Sequence, residues 1–138
     1  HIVFISSLSG KAAQPGSALY SATKFGMRGF ALALREDLRD TGVGVSTIFP
    51  GFIRDAGMFA ETGVALPRGV ATRAPDDVAA AVVRAIERNR AEIDVAPLGL
   101  RLGAAASGVV PELAAAVSRR LGNARVAAQL AARQRAKR

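Results

Sequence analysis

The sequence predicts an α/β fold built on a parallel sheet, and three observations carry the prediction. Short apolar runs rich in β-branched residues recur at His1–Ser6, Val43–Phe49 and Glu92–Ala96. Segments of helical period lie between them, from about Ser17 to Thr41 and from Pro75 to about Arg90. Every step from one strand to the next is therefore a long crossover containing a helix, which is the connection that parallel strands require.

The elements follow in order. "HIVFIS" is a nearly continuous apolar run, as expected of a strand covered on both faces. "SLSGKAAQPGS" supplies loop chemistry, and the helical pattern then places Tyr20, Lys24, Met27, Ala31, Leu34 and Leu38 near one face. Thr41-Gly42 ends that helix, with the glycine suited to a left-handed cap. "VGVSTIF" reads as a second buried strand stopped by Pro50-Gly51. Residues 51–74 are glycine-spotted and hold no sustained period, so a long functional or mobile loop is expected there. Pro75-Asp76-Asp77 opens the next helix, with proline at the first turn and carboxylates where the helix dipole favours them. "EIDVA" is the third strand. After it comes the small, apolar "PLGLRLGAAASGVVP", then two Ala/Arg-rich helix formers, Pro111–Leu121 and Asn123–Arg138, separated by a Gly122-Asn123 stop and cap.

Composition removes several classes of function. The chain has 138 residues, half of them apolar and 22% charged, the balance of an ordinary globular domain. No apolar run approaches the roughly 18 residues of a spanning helix, and nothing at the start resembles a signal peptide. There is no cysteine, which excludes disulfides and thiolate chemistry and is compatible with a cytoplasmic, reducing compartment. The only histidine is His1, so no interior Ser-His-Asp arrangement exists and most metal sites are excluded. A chain that begins with His against a strand is expected to be the C-terminal piece of a longer protein. The net charge of +8 is concentrated in the tail: residues 98–138 carry 8 basic and 1 acidic side chain, against 11 and 10 in residues 1–97. The expected division is accordingly 1–97 as the body and 98–138 as a helical basic tail.

With imidazole and thiol absent, any acid/base chemistry falls to Tyr, Lys, Asp or Glu. The chain has one tyrosine, Tyr20, and Lys24 follows it by four residues. On a helix the two share a face one turn apart. A free phenol is a poor base at neutral pH, and an ammonium beside it stabilises the phenolate. Such a pair can take a proton from an alcohol or give one to a carbonyl while hydride moves at the neighbouring carbon. Ser7 stands at the C-terminal end of the first strand, where open parallel sheets bind ligands, and its hydroxyl can hold the same substrate oxygen. Asp76 and Asp77 read as helix-start charges. Met58, Phe59, Val64 and Leu66 suit a substrate pocket and a loop anchor equally.

"ISSLSG", the spacing of thirteen from Ser7 to Tyr20, "YSATK" and "IFPGFI" together resemble the short-chain dehydrogenase/reductase family over residues 1 to about 96. The resemblance implies the C-terminal half of a doubly wound parallel (Rossmann-like) sheet, an NAD or NADP cofactor, and a catalytic set of Ser7, Tyr20 and Lys24. It also implies that Tyr20 and Lys24 reach the cofactor and that Pro50, Gly51 and Ile53 lie against the nicotinamide, the backbone of Ile53 meeting its carboxamide. The implied partner is a small alcohol or carbonyl substrate, apolar ones included, and a homo-oligomer is expected.

Two departures from the family pattern stand out. Its glycine-rich phosphate loop, its cofactor-selecting position and its catalytic asparagine belong upstream of Ser7; the nearest glycines, Gly10 and Gly16, lie in the loop after it. Where the family usually places a threonine after Pro-Gly, this chain has Asp55, whose carboxylate accepts from an amide NH₂ but cannot donate to its carbonyl. The rival reading is a non-enzymatic fragment whose basic tail binds an anionic membrane surface or nucleic acid. Nucleic acid is disfavoured because residues 98–138 contain no aromatic side chain for stacking, whereas contact of the tail with an anionic membrane surface, though less favoured than the enzyme, stays open. A third reading, a family member that keeps the fold without the activity, is disfavoured by the intact Ser7, Tyr20 and Lys24.

Overall fold

The computed structural model describes residues 1–64, 66 and 70–120. Its centre is β2 (Val45–Pro50), which pairs in parallel with β1 (Ile2–Ile5) on one side and with β3 (Glu92–Val95) on the other. The register sets Ile2 against Val45 and Thr47 against Glu92. Side chains alternate along a strand, so Val45, Thr47 and Phe49 face one side of the sheet and Ser46, Ile48 and Pro50 the other.

Each face is covered. Ile48, fully buried, packs with Ala81 and Ala85 of α3 (Pro75–Glu87) and with Val95, and Val3, Val78, Val82 and Ile93 close the cluster. The alanines let the helix sit close to the strands. On the opposite face Phe49, Leu8 and Ala96 form a core with Ala104 of α4 (Leu98–Val109). α1 (Ala18–Asp37) lies along that same face, where Phe30 meets Phe4 edge-to-face at 5.7 Å between ring centroids. Helices on both faces of a parallel sheet make the chain part of a doubly wound α/β fold.

Several boundaries differ from expectation for physical reasons. α1 stops at Asp37, and Arg39–Thr41 tightens into a 3-10 turn before Gly42 takes the left-handed conformation at φ 79°. β2 begins at Val45 and extends to Pro50; its first rung to β1 runs from Ile2 N–H to the Gly44 carbonyl at 2.9 Å, and Gly44 lies close against the His1 ring. α3 ends at Glu87, and Asn89 turns the chain at φ 45°. Residues 51–74 are not wholly irregular, since α2 (Gly57–Thr62) forms within them. α4 and α5 (Pro111–Arg120) follow β3. β1 is the outermost of the three described strands, and Ile2 and Ile5 are 38% and 46% exposed in the chain as given.

Local chemistry fixes the ends of elements. Pro75 opens α3, and the Ala74 N–H donates to the Asp77 carboxylate at 2.8 Å, so Asp77 serves as a cap. At the N-terminal ends of the strands, the Arg35 guanidinium donates to the carbonyl of Val45 (2.7 Å) and to the side chain and carbonyl of Asn89 (2.8 and 2.7 Å). Beside it, the Ser46 hydroxyl donates to the Arg90 carbonyl at 2.6 Å and meets His1 Nε2 at 2.8 Å. Among the described residues no helix is long and apolar enough to cross a membrane. The expected Gly122-Asn123 stop and the helix from Asn123 to Arg138 lie outside the described residues.

Candidate active site

Ser7 follows the C-terminal end of β1 and caps a one-turn 3-10 helix, Leu8–Gly10. Its Oγ accepts from Ser9 N–H at 3.1 Å. A hydroxyl has one hydrogen to give and two lone pairs, so accepting from Ser9 leaves the Ser7 O–H its hydrogen to donate. The helix it caps lies hard against α1. A Cβ on Gly10 would stand 2.8 Å from the Lys24 carbonyl oxygen and 2.9 Å from Ser6 Oγ. Only a glycine allows this approach, and the approach brings the Ser7 loop beside the helix that carries Tyr20 and Lys24.

Tyr20 and Lys24 sit on one face of α1, with Lys24 Nζ 5.7 Å from the Tyr20 ring centroid. The ammonium also donates to the Ile5 carbonyl at 3.2 Å. It therefore stands between the phenol and the end of β1.

Ser7, Tyr20, Pro50, Gly51 and Ile53 all line one cleft of about 1350 Å³ at the C-terminal ends of β1 and β2. Lys24 is not in that lining and joins the site through the Tyr20 ring. Gly51 is packed so closely on Ala96 that a Cβ would lie 3.0 Å from the Ala96 methyl. Ile53 forms a parallel bridge with Arg73, made by Arg73 N–H to the Phe52 carbonyl and Arg54 N–H to the Arg73 carbonyl, both at 2.9 Å. By the alternation of such a ladder, the N–H and C=O of Ile53 itself face away from Arg73. A donor and an acceptor side by side on a cleft wall fit a primary carboxamide, and so fit the nicotinamide part of a cofactor.

Asp55 stands in left-handed backbone at φ 69°, its side chain 69% exposed and its carboxylate 3.2 Å from Arg54 Nε. Met58 and Phe59 line the cleft, and Phe59 also packs on Phe52 with ring centroids 5.0 Å apart. Phe59 is pocket wall and loop anchor at once, and Met58 is pocket wall. Val64 and Leu66 are not among the described lining residues. Leu100, Gly103 and Ser107 of α4 and Leu113 and Val117 of α5 complete the cleft wall, and none of them is marked in the sequence beyond the small, apolar character of residues 97–111. Glu92 is unmarked there as well. Burial works to raise the pKa of Glu92, but hydrogen bonds and charge from Arg28 and Lys11 outweigh it and hold the carboxyl below its ordinary range. No cluster of metal-ligating side chains occurs among the described residues.

A ligand cleft at the C-terminal edge of a parallel, helix-covered sheet places the chain among α/β ligand-binding folds. Residues 1–65 match the family model described as short chain dehydrogenase. Ketoacyl reductase HetN of Nostoc sp. is 38% identical over 94 residues, covering 68% of this chain and 33% of that protein. The solved structure of 4-hydroxyisoleucine dehydrogenase complexed with NADH and succinate matches with a TM-score of 0.54 at 25% identity, over 69% of this chain and 43% of that one. A Novosphingobium aromaticivorans protein described as a short-chain dehydrogenase matches 94% of this chain and 48% of its own, with a TM-score of 0.59; at 24% identity it speaks for the fold alone. The chain belongs to the short-chain dehydrogenase/reductase family. It spans about a third of the length of the first curated relatives it matches, 33–34% in each case.

Proposed function

We propose that the protein carrying this chain is a nicotinamide-dependent oxidoreductase that interconverts an alcohol and a ketone or aldehyde, with Ser7, Tyr20 and Lys24 as its catalytic residues. The observation that carries this reading is the Lys24 ammonium 5.7 Å from the ring of a tyrosine that shares a cleft with Ser7. In the reducing direction the Tyr20 hydroxyl gives its proton to the carbonyl oxygen, and in the oxidising direction its phenolate takes a proton from the alcohol. Ser7, which lines the same cleft, hydrogen-bonds the same substrate oxygen and orients it. NAD or NADP, when bound, supplies or accepts the hydride. Pro50, Gly51 and the backbone of Ile53 would hold its nicotinamide, and Lys24 its ribose. Residues 1–97 act in this reading as part of the oxidoreductase domain and 98–138 as a helical tail, in a cytoplasmic homo-oligomer.

The test is Tyr20→Phe, which keeps the ring and removes the exchangeable proton. In the protein carrying this chain kcat should fall by about 10² or more, with cofactor affinity little changed. A variant that kept most of the wild-type kcat would remove Tyr20 from its role.

A further inference from the structure

We propose that Glu92 is a positioning residue: it holds the Ser7 loop and the Tyr20–Lys24 helix in register with one another. This rests on the catalytic reading of Ser7 and Tyr20 given above. None of the described residues of β3 lines the cleft, so whatever Glu92 does there it does through other groups. Two cations reach it from two different elements. Lys11, four residues after Ser7 and directly behind the 3-10 turn that Ser7 caps, places Nζ 3.0 Å from Glu92 Oε2 and 2.7 Å from Asp94 Oδ1. Arg28, one helical turn beyond Lys24 and two beyond Tyr20, grips the same carboxylate with Nε at 2.6 Å from Oε1 and Nη2 at 3.1 Å from Oε2.

The arrangement is a clamp with a floor. Lys11 Nζ lies 4.2 Å and the Arg28 guanidinium 5.9 Å from the centroid of the Phe49 ring, which is fully buried and fixed in β2. The side chains of Lys11, Asp94 and Glu92 are only 13%, 17% and 19% exposed. Solvent screens such pairs less than it screens surface ones, and the two-point Arg–carboxylate contact fixes orientation as well as distance. β3 is thus a common reference for two elements that also pack directly on one another, Gly10 against the Lys24 backbone and the Ser6 hydroxyl donating to the Lys24 carbonyl at 3.3 Å. Catalysis by groups on separate elements is sensitive to misplacement on the ångström scale.

The experiment compares Glu92→Gln and Lys11→Gln, each alone and combined with Ser7→Ala, in the protein carrying this chain. Amide hydrogen exchange and kcat are both read. With Glu92→Gln, exchange should quicken at Gly10, Lys11 and Ala12, whose N–H groups donate to the Ser7 and Leu8 carbonyls, and in α1 around Arg28. kcat should fall about tenfold or more while cofactor affinity holds. Lys11→Gln should loosen the loop alone, and in the Ser7→Ala background it should cost nothing further. A purely structural Glu92 would instead lower the unfolding midpoint and leave the kcat of the folded enzyme at wild-type level, which overturns the proposal. A Lys11→Gln loss that multiplies independently with Ser7→Ala overturns it as well. If Glu92→Gln fails to fold, Lys11→Gln decides by the same criteria. Should Ser7→Ala itself leave kcat intact, the catalytic reading fails and takes this proposal with it, whereas unchanged exchange in both segments refutes the clamp alone.

Discussion

Replacing Gly10 by alanine tests the close approach that assembles the site. The new methyl would stand 2.8 Å from the Lys24 carbonyl oxygen and 3.1 Å from its carbon, where ordinary contact begins at 3.4 Å, so it intrudes by about 0.6 Å. The obstructing atoms are main chain in the middle of α1 and cannot rotate aside. Overpacking of this kind costs about 1–3 kcal/mol. Against it, alanine restricts the unfolded chain and returns about 0.4–1 kcal/mol. Overpacking wins, with a net loss of about 1–2 kcal/mol. Relief requires the Ser7 loop to back away from α1, so kcat should fall about tenfold as Ser7 and Tyr20 separate. Urea unfolding measures the first quantity and steady-state kinetics the second. A Gly10→Ala protein as stable as the wild type, with unchanged kcat, would refute the argument that this contact sets the geometry.

Two further predictions follow from the ion pairs and from the sequence. Because the Glu92 carboxyl titrates lower in the folded chain than the roughly 4.3 of a free glutamate, its pairing stabilises the fold fully above that range and loses this effect as pH falls through the lowered value. The stability gap between wild type and Glu92→Gln should therefore be largest near pH 7 and shrink toward pH 3; a gap that stays constant across urea midpoints at both pH values would contradict the pairing. The 138-residue chain alone should not bind NADH or NADPH tightly, because the pyrophosphate of such cofactors is held by a glycine-rich turn at a helix N-terminus and no such segment precedes a helix here. Calorimetric titration showing micromolar affinity for either one would reverse that expectation.

What could be read from the sequence was whatever repeats at short range. The Tyr20–Lys24 pair needed only the helical period, and Gly42 needed only the steric rule that favours glycine in a left-handed cap. The bounds of α4 escaped because Gly99, Gly103 and Gly108 lower helical propensity, while its alanines, good helix formers, are too small to mark an apolar stripe. α2 escaped because its six residues are too few to show a period. The clamp at Glu92 lies further from view still: Lys11 and Asp94 are 83 residues apart, and Arg28 and Glu92 are 64 apart. In the sequence each is an ordinary surface charge, and only the strand register brings them together.

The hydrogen bonds from Arg35 to Val45 and Asn89, and from Ser46 to Arg90, all lie at the N-terminal ends of the strands, opposite the cleft. That gathers the polar cross-links at one end of the sheet and leaves the other end to the cleft. Of the elements beside the cleft, α4 is tied to the sheet through Ala104, buried against Phe49, Leu8 and Ala96, whereas α2 contributes no rung of the sheet. Contacts added at the N-terminal ends of the strands should therefore raise the temperature at which the chain unfolds without reshaping the cleft.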